Sequence, residues 1–336
     1  MQQQKTVGVV GPSSRRAFLG TCAAGATAGA AAAALSGWTA IASAAQPAAN
    51  PHTAVPAEPL TLYEFTGQIW IRWRNINVFS YRAHPTQKYP YFYPVAGPVS
   101  GLSLTTESSL PWPHQRSLFF SCDRVNGCNF WQTELQNGQI VSDGPKAAIR
   151  GENAVELTDS CRWLRPGAEP IARDERRFTI TMVNPRLRLI DVWIKWSAVV
   201  DLKIEKTNHS LFSVRAAPDI TPLQGGTLLN DLGDEGEKGT FGKKAAWCCF
   251  FGRRANLPEE FVEGIALFDH PKNPWSPSPW FTRDYGFISP TPLNFIDKPW
   301  TLAAGQAVEF RYRVALFAGD AKAAGLAALY QKWIEG

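Results

Sequence analysis

Hydrophobic and polar residues alternate with a period of two along several stretches of the chain. The pattern is clear in residues 177–182, 191–196, 200–205 and 308–316. The positions expected to face inward are Phe178, Ile180, Met182, Val192, Ile194, Trp196, Val200, Leu202, Ile204, Val308, Phe310, Tyr312, Val314 and Leu316. This period is typical of antiparallel strands with one buried and one solvated face. Because no regular strand–helix alternation accompanies it, the sequence predicts an all-β fold, a large antiparallel β-sandwich.

The last segment of the chain follows a helical period instead. Asp320 is a suitable N-cap, and Trp333 lies near the end of the run. The apolar positions between them are Ala324, Leu326, Ala327, Leu329 and Tyr330. We therefore expect a short C-terminal helix over residues 320–334.

The N-terminal segment has the features of an export signal. Arg15 and Arg16 stand in the motif Ser-Arg-Arg-x-Phe-Leu, and an alanine-rich run follows over residues 22–41. This order is typical of a twin-arginine signal peptide, and Ala-Ser-Ala at residues 42–44 fits signal peptidase. We expect a mature start at Ala45 and a periplasmic or secreted protein. The alternative is an N-terminal membrane anchor, which the scarcity of large aliphatic residues in the run disfavours.

Removal of the signal over residues 1–44 changes the charge balance. The formal net charge of +5 includes three basic residues of this segment, which has no acid, so the mature chain carries +2. No basic stripe remains, and we expect no nucleic-acid partner. After a Pro/Ala-rich tether over residues 45–59, we expect a single domain over residues 60–336 without a membrane span.

Five cysteines remain after signal removal, namely Cys122, Cys128, Cys161, Cys248 and Cys249. An odd number in an oxidising compartment leaves at least one free thiol or one intermolecular partner. Cys122 and Cys128 flank a turn that contains Asn and Gly. The two residues either form a local disulfide or remain free thiols, and the sequence leaves both alternatives open. Cys248 and Cys249 are expected to be buried strand thiols, because neighbouring strand residues point to opposite faces.

Two long loops combine aromatic and polar residues. The first covers residues 88–131 and the second covers residues 268–295. Ordered loops of this length that hold His, Asp, Arg, Asn and Trp together are uncommon unless they are functional. The alternative is that their Pro and Trp residues cover the ends of the sandwich.

Seven segments of the chain resemble the PmoA-like family of secreted bacterial proteins, which often carry a methane-oxygenase label. The matching segments are residues 91–98, 114–120, 125–131, 247–248, 269–273, 279–286 and 311–320. The resemblance implies a β-sandwich of the sugar-mutarotase type, and similar proteins look like partners of sugar-oxidising enzymes. Where the family reads Asp-His-Pro-His-His-Arg, this chain has Pro-Trp-Pro-His-Gln-Arg at residues 111–116. Methane oxidation is not expected, because a membrane copper oxygenase needs transmembrane spans.

Saccharide sites combine flat aromatic faces with planar hydrogen-bonding side chains, and both loops supply this mixture. The expected substrate-binding residues are Arg116, Asn126, Trp131, Trp280, Arg283 and Tyr285. The expected catalytic residues are His114, His270 and Asp269, since imidazole and carboxyl groups exchange protons near neutral pH. We expect no metal site, because too few histidines fall in the loops to supply three convergent ligands. The sequence requires no cofactor.

Two functions remain open at this point. The chain is either an enzyme that acts on glycosides or oxidised sugars by acid/base catalysis, or a non-catalytic saccharide-binding protein. Catalysis is favoured if one concavity holds His114, Arg116, Asp269, His270 and Arg283. Alternate residues of an extended segment point to opposite sides, so we expect Arg283 to contact the ligand and Asp284 to support the loop.

Overall fold

Stretches rich in β-branched and aromatic residues form the strands of the computed structural model, which describes residues 59–258 and 261–336. The described residues belong to one compact unit. The strands are β1 (Leu60–Phe65), β2 (Gln68–Trp73), β3 (Ile76–Arg82), β4 (Tyr91–Val95), β5 (Leu118–Cys122), β6 (Gln139–Ser142), β7 (Lys146–Arg150), β8 (Ala154–Leu164), β9 (Ala172–Asn184), β10 (Leu187–Ala198), β11 (Leu202–Ile204), β12 (Ser210–Arg215), β13 (Thr227–Asn230), β14 (Trp247–Arg253), β15 (Val262–Asp269), β16 (Trp280–Arg283), β17 (Phe287–Pro290), β18 (Trp300–Leu302) and β19 (Ala307–Ala318). The helices are α1 (Gly236–Thr240) and α2 (Leu326–Glu335). The predicted signal peptide and nearly all of the tether lie outside the described residues.

The strands assemble into two large antiparallel sheets. One has eight strands in the order β1-β2-β3-β4-β5-β12-β17-β16. The other has nine strands in the order β13-β14-β15-β19-β10-β9-β8-β6, with β7 also paired to β8. Strands β11 and β18 form a separate ribbon.

Aromatic contacts join the two sheets face to face. Phe120 of β5 packs against Trp163 and Trp196 of the nine-stranded sheet, with ring centroids 6.0 Å apart in both pairs. Phe212 of β12 stacks on Tyr312 of β19 at 5.4 Å. Large buried rings such as these dominate core energetics. The predicted antiparallel β-sandwich is therefore confirmed.

The predicted alternation matches the buried positions of the long strands. In β9, Phe178, Ile180 and Met182 are buried while Arg177 is exposed. Strand β10 follows the same rule. Strand β19 follows it from Phe310 to Val314, after which all of its residues are buried, and Val308 is half-buried. Val200 is an exception, because it is 42 % exposed in the turn that precedes the short strand β11. The prediction that Val200 faces the core is wrong.

The C-terminal helix is shorter than the sequence predicts. It begins at Leu326 rather than at residue 320, because Gly325 adopts a left-handed conformation with φ of 66°. Asp320 still caps a turn, since its Oδ1 accepts a hydrogen bond from Ala323 N at 2.7 Å. No helix in the described part of the chain is long and apolar enough to cross a membrane.

The five cysteines of the described chain are all buried and free. A disulfide between Cys122 and Cys128 does not form. Cys122 Sγ donates to the carbonyl of Asp123 at 3.2 Å, whereas Cys128 Sγ accepts from Arg165 Nε at 3.1 Å. The two thiols therefore have separate partners.

Candidate functional site

A layer of aromatic side chains covers the outer face of the eight-stranded sheet. Phe120 points into the core, so its neighbour Phe119 faces outward. Tyr89 stacks on Phe119 with ring centroids 4.6 Å apart, and Trp131 packs edge-on against Phe119 at 4.7 Å. Trp131 also contacts Phe287 of β17 at 6.1 Å. These rings form an apolar floor beneath the first long loop.

Two imidazoles lie on this floor. His209, just before β12, stacks on Trp131 with ring centroids 5.2 Å apart and 17° between the ring planes. His114, in the loop before β5, meets His209 edge-on at 5.6 Å, and Trp112 lies 5.9 Å from His114. We define the His114–His209 site as Trp112, His114, Asp123, Trp131 and His209.

Asp123 orients His209 within this site. Its Oδ2 lies 3.3 Å from His209 Nδ1, and its Oδ1 accepts a hydrogen bond from the Thr207 hydroxyl. Thr207 Oγ1 in turn accepts from the backbone N of His209 at 2.9 Å. A carboxylate that holds Nδ1 fixes the ring and directs Nε2 away from itself. His209 Nε2 makes no hydrogen bond to a described residue and can face a ligand.

A cavity of about 440 Å³ opens beside His209. Asp123, Asn129, Gln132 and Glu205 contribute to its lining. Its volume falls within the roughly 300–1,000 Å³ of small-molecule sites. His209 and Asp123 are therefore the residues of the His114–His209 site that line a cavity of sugar size.

His114 is held in its neutral form. Burial, with further contributions from His209 and Arg215, lowers the pKa of His114 to about 4. Its Nε2 is buried and has no hydrogen-bond partner among the described residues. A buried ring nitrogen without a partner is costly. At neutral pH, the ring of His114 is therefore uncharged and a weak base.

Gln115 connects the two long loops. Its Nε2 donates to Tyr285 Oη at 3.1 Å, and its Oε1 accepts from Arg215 Nη1 at 3.2 Å. The guanidinium of Arg215 lies 4.3 Å from the centre of the Tyr285 ring. Tyr285, a predicted binding residue, is therefore brought beside the His114–His209 site.

Lys88 holds the loop that carries Trp131. Its buried ammonium donates to the carbonyl oxygens of Asn129 at 2.8 Å, Glu134 at 2.7 Å and Gly138. Burial lowers the pKa of Lys88 to about 8. The side chain of Asn129 completes the support, since its Oδ1 accepts from Trp131 N at 2.9 Å.

Arg116 and Arg283 border the region but point to other partners. Arg116 donates to Gln87 Oε1, and its guanidinium lies 5.4 Å from the centre of the Tyr91 ring. Arg283 lies 4.1 Å from the centre of the Phe281 ring and forms an ion pair with Glu237 at 3.1 Å. Asp284 Oδ1 accepts from Glu237 N at 2.7 Å, a contact that supports the loop.

Asn126 and Trp280 have structural contacts. Asn126 lies in a turn, where its Nδ2 donates to Asp201 O at 2.9 Å and its Oδ1 accepts from Lys203 N at 2.7 Å. Trp280 is fully buried, and its Nε1 donates to Ala245 O at 2.9 Å. Neither side chain has its hydrogen-bonding groups turned toward the His114–His209 site.

Asp269 and His270 do not join His114. Asp269 ends β15 in the nine-stranded sheet, where its carboxylate accepts from Asn273 Nδ2 at 2.6 Å and Ser278 N at 3.2 Å. His270 Nδ1 accepts from Lys272 N at 3.0 Å, and its ring lies edge-on to Trp333 at 4.8 Å. The structure thus divides the three expected catalytic residues between two regions, so the convergence that would favour catalysis by these residues together is not present.

Asp269 is expected to make stability depend on pH. Burial raises the pKa of Asp269 from 3.8 to about 6 in the folded chain. The folded chain keeps the proton between these values while the unfolded chain loses it, so this group's stabilising contribution declines as pH rises from about 4 to about 6. The decline is about 3 kcal/mol. Urea unfolding across this range should show it in the wild type and not in Asp269→Asn, and equal pH slopes would contradict the assignment.

Three polar residues of the region were missed by the sequence analysis, namely Asp123, His209 and Arg215. Asp123 and His209 are 86 residues apart in sequence. The pairing of β5 with β12, in which Cys122 lies opposite Ser210, brings them together. The signal available in the sequence was the His209 imidazole next to the apolar run of β12.

Among residues 59–258 and 261–336, no group of three or more His, Cys, Asp and Glu side chains is arranged to hold a metal ion. No curated protein matches the sequence. A family model matches residues 68–331, which is most of the chain. The chain therefore belongs to DUF6807, a family of unknown function.

Proposed function

We propose that this protein binds a saccharide at the His114–His209 site and acts on it by acid/base catalysis. The observation that carries the proposal is the packing of His114, His209 and Trp131 beside a cavity of about 440 Å³ that His209 lines. The volume of this cavity suits a sugar. Asp123, Asn129, Gln132 and Glu205 bring hydrogen-bonding groups to its lining for a polyhydroxylated ligand.

The two imidazoles have complementary roles in this proposal. His114 is neutral above pH 4 and a weak base at neutral pH, so in this proposal it positions His209 and the ligand and does not take the proton. His209 exchanges a proton through Nε2, because Asp123 binds its Nδ1. Trp131 supports His209 from below and keeps water from that face of the ring. The export signal predicted in residues 1–44 would place this chemistry in the periplasm.

The second candidate is a saccharide-binding protein without turnover. It is favoured by the separation of Asp269 and His270 from His114, because a smaller set of proton-exchanging groups remains at the site. Both candidates use the same residues for binding. They differ in whether a product forms.

We expect His209→Ala to lower turnover by about 100-fold or more, because general acid/base groups contribute about 10²–10⁴-fold. Turnover would be measured by incubating the purified protein with panels of glycosides and free sugars and detecting products by chromatography. His84→Ala is the matched control, since His84 bonds Thr86 at the surface and lies outside the site.

Binding without any product in the wild type, and loss of that binding in His209→Ala, would favour the second candidate. Turnover that depends on His270 and is unchanged in His209→Ala would contradict the site assignment.

A further inference from the structure

Arg215 is a buried cation with few partners. It is 2 % exposed, and the one hydrogen bond from its guanidinium to a described residue runs from Nη1 to Gln115 Oε1 at 3.2 Å. Its Nε is buried without a partner. Nη2 also donates to no described residue and is not among the fully covered atoms without a partner. A guanidinium offers five N–H donors, and most of these donors remain unused here.

The other buried arginines of the described chain provide an internal comparison. Each is compensated by carboxylates or by several carbonyl oxygens. Arg176 pairs with Asp174 at 2.6 Å, and Arg254 pairs with Asp219 at 3.0 Å. The third, Arg188, donates to the carbonyl oxygens of Ala96, Gly97 and Pro98. A buried charge without such compensation is strongly destabilising. Arg215 differs from these three residues because it has neither a carboxylate partner nor several carbonyl acceptors.

Glu237 and Asp123 do not supply a negative charge to balance Arg215. Glu237 pairs with Arg283 at 3.1 Å, and Asp123 binds Thr207 and His209. Burial lowers the pKa of Arg215, and the opposing influence comes from Tyr285 rather than from a carboxylate. Guanidinium N–H groups bind oxyanions through charge-assisted hydrogen bonds.

We propose that Arg215 binds the carboxylate of an acidic sugar, so that the ligand of this site is a uronic or aldonic acid. The inference rests on the proposed function, since it names the class of saccharide. Gln115 joins Arg215 to Tyr285, and Arg215 lies near enough to His114 to act on its charge, so a sugar at His114 can extend its carboxylate toward Arg215. The hydroxyl of Tyr285 accepts from Gln115 and can donate its own proton to the same ligand.

Isothermal calorimetry with D-glucuronate, D-gluconate and D-glucose tests the ligand class. We expect the wild type to bind at least one of the two acids about 10- to 100-fold more tightly than glucose, because hydrogen bonds to charged groups are the strong ones. Arg215→Met should remove this preference and keep the affinity for glucose.

Three outcomes of the binding experiment count against the inference. Equal affinity for acids and glucose in the wild type overturns it and leaves the proposed function intact. Tighter binding of D-glucose 6-phosphate than of both acids overturns the choice of a carboxylate. Absence of binding to every saccharide overturns the proposed function and the inference together.

Thermal unfolding without a ligand gives an independent test. Arg215→Met should leave the melting temperature unchanged or raise it, because the substitution removes an unpaired buried charge. Arg176→Met is the matched control and should lower the melting temperature by about 5–10 °C, since it leaves Asp174 buried and unpaired. A decrease in Arg215→Met as large as that in Arg176→Met would overturn the inference, because Arg215 would then be a structural residue.

Discussion

Asp174→Ala is expected to lower the free energy of unfolding by about 3–5 kcal/mol, the cost of breaking a buried ion pair. Asp174 and Arg176 lie on the inward face of β9 and are almost completely buried. Oδ1 and Oδ2 of Asp174 accept from Arg176 at 2.6 and 2.9 Å, and Oδ2 also accepts from Trp163 Nε1 at 2.6 Å. Without the carboxylate, a guanidinium and an indole N–H remain between the sheets without acceptors.

Asp143→Ala is the matched control for this prediction. Asp143 also binds an arginine, Arg162, at 2.6 Å, but the two side chains are 42 % and 39 % exposed. Exposed ion pairs contribute about 0–1 kcal/mol. Urea unfolding followed by tryptophan fluorescence should therefore separate the two variants by several kcal/mol, and similar losses would show that burial does not set the strength of these pairs.

Trp131→Ala is expected to destabilise the fold by about 3–5 kcal/mol and to abolish ligand binding. The stability loss follows from the cavity that a buried tryptophan leaves. Trp131 is completely buried between Phe119, Phe287 and the ring of His209. The binding loss follows because His209 then has no floor to hold its ring beside Asp123.

Trp112→Ala is the control for Trp131→Ala. Trp112 belongs to the same site but is 44 % exposed, so we expect a stability loss below about 1 kcal/mol. Chemical denaturation would give both stabilities, and calorimetry on any sugar that the wild type binds would give the affinities. Unchanged affinity in a folded Trp131→Ala protein would show that the His114–His209 site is not the binding site.

The sandwich was predictable because burial of one face of a strand produces an alternation of apolar and polar residues that is visible in a short stretch of sequence. The alternation of Phe178, Ile180 and Met182 with polar residues marks β9 in any window of the sequence, whatever the strand pairs with. No comparable sequence pattern marks the start of α2. The helix begins after Gly325 because Gly325 adopts a left-handed backbone conformation, and residues 320–324 do not reveal that conformation.

The site was predictable only in part, because its polar contacts cross the sheet. The first loop supplies His114 and Trp131 of the His114–His209 site, and its unusual composition is visible locally. His209 became part of the site through the pairing of β5 with β12. Arg215 and Tyr285 are brought together by Gln115, which was not singled out in the sequence. Strand register and side-chain direction decide such contacts, and neither can be read from spacing along the chain.

The free thiols have a consequence for the order of folding and export. Every cysteine of the described chain is buried and unpaired, so this part of the fold can be completed in a reducing cytoplasm. Burial also raises the pKa of the Cys122, Cys161, Cys248 and Cys249 thiols, which keeps them out of the reactive thiolate form. A chain threaded unfolded into an oxidising compartment would expose all of them to mispairing. A chain that crosses the membrane already folded, as the proposed twin-arginine route allows, carries its cysteines inside a core that oxidants do not reach.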